Sequence, residues 1–309
     1  MNASDFEGVF PAITTKMDAA EDVDIQAVRD DVRFQIDAGV DGAIVCGSLG
    51  EASSLTADEK VAIAEAAIAE AAVAEAAGSK PIIMTIAEDS TRAAIDLVRR
   101  VEKAGVEGLM VLPAMRYLSD PRETMGYFRT IAANTELPII LYNNPVAYTV
   151  DLLPEHFQML ADEKKFVAVK ESSADTRRIN KIIDLVGDRY KLLIGVDDLA
   201  LESMVLGCVG WIAGLVVAFP RETVAIYRLV REGRITEAME IYRWFLPLLS
   251  LDIGPKFVQK IKLAEHVVRG TSPVVRAPRY PLVGDEEAQA LAIIKRGLEN
   301  RPDLTKYGF

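Results

Sequence analysis

Residues 38–48 read AGVDGAIVCGS, and the pattern returns as AGVEGLMVLPA at 104–114 and LGCVGWIAGL at 206–215. Each copy is a helix end, a glycine turn and a short apolar run. The runs are continuous rather than alternating, which is the mark of a strand buried on both faces, as in a parallel sheet. Recurrence of the unit is what a repeated strand–helix module leaves in a sequence. Working outward, eight runs of this kind occur: 8–13 (GVFPAI), 42–46 (GAIVC), 81–86 (PIIMTI), 108–112 (GLMVL), 138–142 (PIILY), 166–170 (FVAVK), 190–194 (YKLLI) and 210–214 (GWIAG). Intervals of roughly 20 to 40 residues leave room for one crossover helix each.

Helix signals fill those intervals. Thr56 and Glu59 are spaced as a capping box, and Pro121, Pro154 and Pro220 stand where helices begin. The stretch 62–77 is almost pure Ala, Glu and Ile, with its glutamates Glu65, Glu70 and Glu75 read as solvated. Eight strand–helix units ending near residue 232 predict an α/β fold, a (β/α)8 TIM barrel over 1–232. Helical patterns near 235–250, 255–268 and 285–300 predict a C-terminal helical extension (233–309) of the same single domain. A doubly wound open sheet usually carries a glycine-rich phosphate loop after its first strand, and Thr14-Thr15-Lys16 is nothing like one.

Composition narrows the function. Half of the 309 residues are hydrophobic and 26% charged, an ordinary globular balance. A net charge of −11 repels phosphate backbones, so no nucleic-acid partner is expected. No apolar run approaches the ~18 residues of a membrane span, and the first residues lack a signal-peptide pattern. No membrane partner and a cytoplasmic location follow as expectations. The chain has two cysteines and two histidines. Cys46 and Cys208 sit in apolar stretches and read as small buried hydrophobes. With neither CxxC nor HxxxH spacing, no metal or redox dithiol is expected. Proton traffic then falls to Lys, Tyr, Ser or carboxylates.

In a barrel, reacting groups sit at the C-terminal ends of strands. Those ends carry Gly47-Ser48-Leu49-Gly50-Glu51, Glu88, Tyr142-Asn143-Asn144-Pro145, Lys170-Glu171-Ser172-Ser173 and Gly195-Val196-Asp197. Lys170 ends an apolar run. An amine held against hydrophobic walls is favoured in its neutral, carbonyl-attacking form, although position alone equally allows a strand-end lysine reaching solvent. Tyr142 closes the neighbouring strand, either as a proton relay for Lys170 or as an aromatic plug. The two glycines around Ser48 suit a backbone grip on a carboxylate, or simply a turn.

Taken together, GSLGEASSLT (47–56), YNNP (142–145) and VKESSADT (169–176) resemble the motifs of the dihydrodipicolinate synthase and N-acetylneuraminate lyase family, and the resemblance covers nearly the whole chain. It implies a Schiff-base enzyme without metal or organic cofactor, assembling as a homotetramer. It further implies Lys170 as the Schiff-base lysine, Tyr142 as the acid/base tyrosine, and Ser48 with the adjoining N–H groups holding an α-keto carboxylate.

The departures point to a subgroup. Where dihydrodipicolinate synthases usually have an arginine five residues after the tyrosine, this chain has Ala147. Their usual threonine pair is Ser48-Leu49 here, which breaks the threonine hydroxyl relay, and the loop after strand four is altered to PAMRYLSDP (113–121). GVFPAITT (8–15), CGSLGE (46–51), GVDDLALES (195–203), GWIAG (210–214), AFPRE (218–222) and LDIGPKFVQKIKLAEH (251–266) resemble the 1-pyrroline-4-hydroxy-2-carboxylate deaminases of hydroxyproline breakdown. The resemblance implies a small imino acid as substrate, with 2,5-dioxopentanoate and ammonia as products. Leu49, Gly195, Asp197, Ile212 and Glu88 are the candidate substrate contacts, Asp197 or Glu88 holding the 4-hydroxyl. A 2-keto-3-deoxy sugar acid aldolase or dehydratase is the alternative, lysine-pathway condensation stands further off, and a non-catalytic keto-acid sensor is disfavoured because neither Lys170 nor Tyr142 is lost.

Overall fold

The computed structural model describes residues 6–73, 80–114 and 117–309. Eight strands run parallel: β1 (Gly8–Pro11), β2 (Ala43–Val45), β3 (Ile82–Ile86), β4 (Gly108–Val111), β5 (Ile139–Asn143), β6 (Phe166–Glu171), β7 (Lys191–Ile194) and β8 (Gly210–Ala213). Neighbours pair in the order β1-β8-β7-β6-β5-β4-β3-β2, and a parallel bridge from Ala12 to Ile44 joins the two ends into a barrel. This is the (β/α)8 architecture that the repeat predicts.

Side-chain parity sets the interior. In a strand, alternate residues face opposite sides. Phe10, Ile44, Ile83, Met110, Ile140, Ala168, Leu193 and Ile212, one from each strand, fill the barrel as a cluster separate from the larger core between sheet and helices. Burying each large member stabilises the fold by roughly 1.5–3 kcal/mol. Ile212, offered above as a substrate contact, belongs to this packed interior.

The helices are α1 (Ile25–Asp37), α2 (Ala57–Val73), α3 (Thr91–Ala104), α4 (Pro121–Ala132), α5 (Pro145–Tyr148), α6 (Pro154–Met159), α7 (Arg177–Val186), α8 (Ala200–Val205) and α9 (Pro220–Arg231) around the barrel. The extension adds α10 (Ile235–Leu249), α11 (Phe257–Arg269) and α12 (Asp285–Glu299). Thr56 and Glu59 form the capping box expected of them, with Glu59 N–H donating to Thr56 Oγ1 at 3.2 Å and Thr56 N–H to Glu59 Oε2 at 2.8 Å. Residues 74–79, where the alanine-rich helix was expected to continue, and 115–116 of the altered loop lie outside the described residues. Tyr117 of that loop is exposed.

The extension is tied to the barrel by buried charges. Lys262 of α11 pairs with Glu51, both fully buried. Glu265 pairs with Lys16 at 2.6 Å, and Lys16 also pairs with Asp31 at 2.9 Å. Arg269 pairs with Asp31 too. Tyr242 of α10 donates to the carbonyl of Asp197 at 3.1 Å and accepts from Ala200 N–H at 3.0 Å. No helix among the described residues is long and apolar enough to cross a membrane.

Candidate active site

The register of β5 against β6 makes Tyr142 and Lys170 direct partners, one layer above Ile140 and Ala168. Both therefore face the barrel axis at its C-terminal mouth, and both are buried. Lys170 Nζ lies 4.1 Å from the centroid of the Tyr142 ring. The aliphatic stem of Lys170 passes against Gly195, just beyond β7. A Cβ at Gly195 would fall 2.3 Å from Lys170 Cε and 2.2 Å from Ser172 Oγ. Gly195 thus keeps open the space in which the lysine stands.

The loop after β2 supplies the opposite wall. Cys46 (φ 56°) and Glu51 (φ 58°) both take the left-handed conformation, and they bracket Gly47-Ser48-Leu49-Gly50. Non-glycine residues adopt it only when the surroundings over-determine it. Here Thr15 Oγ1 donates to Gly50 O at 2.6 Å, and Glu51 is locked by Lys262 and by Arg276 N–H at 3.0 Å. A Cβ at Gly50 would lie 2.9 Å from Ile13 O, so the turn admits no side chain there. Among the described residues no protein acceptor takes up the N–H groups of Ser48 and Leu49. Ser48 Oγ contacts Tyr148 OH. Two further buried hydroxyls, Thr85 Oγ1 beneath Gly47 and Ser172 Oγ beside Lys170, have no partner among the described residues. Free N–H donors and unmatched hydroxyls around an amine are the complement of a small carboxylate-bearing ligand.

Carboxyl groups line the third side. Asp197 is buried, and its oxygens accept from Trp211 Nε1 (2.9 Å), Leu215 N–H (2.9 Å) and Gly214 N–H (3.1 Å). Burial pushes this carboxyl up, against the pull of those donors and of Lys170. Asp197 thus organises the end of β8, and its oxygens are already occupied by the protein. Among the described residues no partner takes the oxygens of Asp252, on the turn between α10 and α11, which lie 2.7–2.8 Å from the point where a Cβ of Gly214 would stand. Burial, then the Asp197 charge, push Asp252 well above the usual carboxylate range, while Lys170 draws it down. Glu171, alternating away from the mouth, is also raised by burial.

Two candidates are placed elsewhere. Glu88 pairs with Lys60 of α2, on the helix side of the wall. Parity is the reason, since Ala87 packs against the barrel-interior cluster and its neighbour must face out. The Leu49 side chain packs into the outer core rather than the mouth, which leaves only its backbone N–H to meet a ligand. Conversely, Tyr148 and Asp252 reach the site without having been singled out as site residues in the sequence. The signal for Tyr148 was Pro145, which starts a one-turn helix directly after YNN and folds the chain back over Tyr142. No cluster of three or more His, Cys, Asp or Glu able to hold a metal occurs among the described residues.

Known proteins resemble this chain along most of its length. Residues 5–297 match the model of the dihydrodipicolinate synthetase family. The chain is 30% identical over 297 residues to a 4-hydroxy-tetrahydrodipicolinate synthase of Geotalea uraniireducens, covering 94% of this chain and 98% of that one. It is likewise 30% identical over 304 residues to an uncharacterized DapA-like lyase of Pyrobaculum arsenaticum, with the same coverage of 94% and 98%. Among solved structures, the dihydrodipicolinate synthase of Aquifex aeolicus is similar with a TM-score of 0.88 at 28% identity, covering 94% of this chain and 98% of that one. A prophage protein of E. coli K12, described as a member of the same family in complex with pyruvate, superposes with a TM-score of 0.88 at 26% identity, covering 95% and 99%.

Proposed function

The chain belongs to the dihydrodipicolinate synthetase family, and on that premise we propose that it is a Schiff-base enzyme of a small 2-keto or 2-imino acid, specifically a 1-pyrroline-4-hydroxy-2-carboxylate deaminase. The observation that carries the reading is the Lys170 amine, buried and 4.1 Å from the Tyr142 ring centroid, facing a loop with free N–H donors. A nucleophilic amine, a phenol within reach and a carboxylate grip are what imine formation on a keto acid requires.

In the proposed sequence the substrate carboxylate rests on the N–H groups of Ser48 and Leu49. Neutral Lys170 adds to C2 of the cyclic imine, and the C2–N bond of the ring breaks as the lysine imine forms. The protonated imine acts as an electron sink, so C3 loses a proton and the 4-hydroxyl leaves with a proton as water. Asp252, held high by burial, would supply that proton. Elimination leaves C3=C4 conjugated with the lysine imine and an allylic amine at C5. Loss of a C5 proton and its return at C3 give the C4=C5 enamine, which tautomerises to the C5 imine, takes up water and releases ammonia. A second water frees 2,5-dioxopentanoate from Lys170. One water is consumed overall, and no redox change occurs.

Two features favour this over the condensation named for the relatives. Ala147, exposed on α5, offers no charge for a second substrate's carboxylate. Asp252 instead brings a carboxyl over Gly214 at the end of β8. A keto-deoxy acid aldolase or dehydratase uses the same first steps and is the second reading. The protein is proposed to work in the cytoplasm as a homotetramer, with no metal or organic cofactor and no nucleic-acid or membrane partner.

The test is to mix the protein with freshly made 1-pyrroline-4-hydroxy-2-carboxylate and quantify ammonia and 2,5-dioxopentanoate together. Equal release well above the enzyme-free control is expected. No release, from a protein that still gives a borohydride-trapped adduct with pyruvate, moves the assignment to the aldolase or dehydratase. Normal turnover by Lys170→Ala refutes the Schiff-base scheme outright.

A further inference from the structure

The pairing of β5 with β6 is irregular where it begins and carries Tyr142 and Lys170 where it ends. Its register shifts between Ile139 and Ile140, which stand opposite Phe166 and Ala168, so that Val167 has no partner of its own. An extra residue of this kind disrupts the ladder locally. Above it the strands have to come back into step, because a slip of one residue turns every side chain to the opposite face. Tyr142 and Lys170 would then no longer face the mouth together.

The last pair of this ladder, Asn143 opposite Glu171, is joined by its side chains as well as by its backbone. Both residues are buried, and parity turns them to the outer side of the wall, behind Tyr142 and Lys170. Asn143 Nδ2 donates to Glu171 Oε2 at 3.2 Å, and Ser173 N–H donates to Glu171 Oε1 at 2.6 Å. Leu152 N–H donates to Asn143 Oδ1 at 2.9 Å. Every side-chain oxygen of the pair therefore accepts from an N–H group. Backbone bonds from Ser172 N–H to Asn143 O (2.8 Å) and from Gly195 N–H to Glu171 O (3.0 Å) carry the ladder past the strand ends. Burial pushes the Glu171 carboxyl up, against the pull of its donors and of Arg178, which is itself clamped by Asp151 at 2.6 and 2.8 Å. An apolar pair would avoid that penalty but would not specify which residue stands opposite which. Setting register is the best-attested use of polar groups buried at a cost.

We propose that Asn143 and Glu171 are positioning residues, whose side-chain clasp locks the register of β5 on β6 and so keeps the Tyr142 ring against the Lys170 amine. The proposal rests on the Schiff-base reading of Lys170 and adds what holds its neighbour in place. Neither side chain of the clasp faces the mouth. The free N–H donors belong to the loop after β2, on a different wall. Loosening the clasp therefore slows the chemistry at Lys170 while leaving the hold on a carboxylate as it was.

The experiment uses pyruvate, so that it does not depend on the natural substrate. Exchange of the methyl protons in D2O is followed by NMR over a range of pyruvate concentrations. Borohydride trapping counts the adduct-forming sites, and rates are expressed per site. Glu171→Gln keeps the size of the side chain and removes one acceptor. Whichever way its amide turns, an N–H group meets either Asn143 Nδ2 or Ser173 N–H. Displacing a reacting group by about 1 Å costs on the order of 100-fold in rate. The saturating exchange rate is therefore expected to fall about 100-fold, with the half-saturating pyruvate concentration within threefold of wild type. Combining Asn143→Asp with Glu171→Gln reverses donor and acceptor and restores all three side-chain bonds of the clasp. It is expected to recover about tenfold of the loss, since the weaker bond from Asn143 Nδ2 to Asp151 Oδ1 (3.4 Å) is not restored. Should Glu171→Gln not fold, Asn143→Ala, which leaves the bond from Ser173 in place, is read by the same measure. A single variant exchanging within twofold of wild type overturns the clasp while leaving the Schiff base standing. So does a double variant no faster than Glu171→Gln alone. A wild-type protein that forms no adduct overturns the Schiff-base reading, and the clasp with it.

Discussion

Gly195→Ala isolates the geometric basis of the site in one methyl group. The glycine has no left-handed backbone to relieve, so the effect is one of space. The new Cβ would stand 2.3 Å from Lys170 Cε, 2.9 Å from Lys170 Cγ and 2.2 Å from Ser172 Oγ. An ordinary carbon–carbon contact is about 3.5–4.0 Å, so the lysine stem must retreat by more than 1 Å or β7 must move outward. Overpacking of this kind costs about 1–3 kcal/mol of stability. Displacing a reacting group by about 1 Å costs on the order of 100-fold in rate. The expected result is a folded protein whose urea midpoint drops modestly, while the initial rate of borohydride trapping with pyruvate falls by about two orders of magnitude. Lys170 is unchanged as a residue, so the loss would be positional alone. A Gly195→Ala protein that traps pyruvate at the wild-type rate would refute the reasoning, since a lysine rotamer would then be both accommodated and productive.

Other perturbations test the rest of the structure. Lys262→Met leaves Glu51 buried with its closest cation gone, a loss of roughly 3–5 kcal/mol by analogy with broken buried pairs; adding Glu51→Gln should recover part of it, and chemical unfolding of both variants decides. The hydrogen bonds from Arg178 hold the Asp151 carboxyl below its usual range. Because its folded pKa is depressed, the stabilisation is present above the unfolded value near 4 and lost as pH falls through the folded one. The stability deficit of Asp151→Asn, under ~1 kcal/mol at pH 7 after solvent screening, should therefore vanish toward pH 2. Burial pushes the Cys46 and Cys208 thiols up to about 12, so a disulfide reagent at pH 8 should titrate neither in the native protein and both in denaturant. Rapid native reaction would show that the barrel opens there.

Much of this was legible in sequence because the barrel repeats one physical unit. Continuous apolar runs located all eight strands, and the end of the sixth located Lys170. The extension helices, expected near 235–250, 255–268 and 285–300, are found at Ile235–Leu249, Phe257–Arg269 and Asp285–Glu299. What escaped was direction. A strand-end position says that a residue is near the mouth and not which side of the wall it faces. Glu88 shows this, lying one residue out of phase with the inward positions and turning to Lys60. Tyr148 escaped because a one-turn helix is too short to leave a periodicity. Asp252 escaped because only tertiary packing brings a turn so far beyond β7 in the chain near Asp197. Asp197 follows the end of β7, as its place in the sequence implies, but a sequence does not show that Trp211 and two backbone amides already occupy its oxygens.

The locking of Glu51 has a bearing on how the protein is made. The groups that neutralise or bind this buried carboxylate, Lys262, Arg276 and Arg279, all come from the final quarter of the chain. A nascent polypeptide emerging from the ribosome completes its eight strands before any of them is available. Until they arrive, the turn proposed to grip a ligand carries a carboxylate that burial penalises and nothing offsets. The barrel can begin to assemble in order of synthesis, but its binding loop sets only when the last helices dock. Competence for ligand is therefore withheld until translation is essentially finished, and a prematurely terminated chain would present a partly formed barrel without a working mouth.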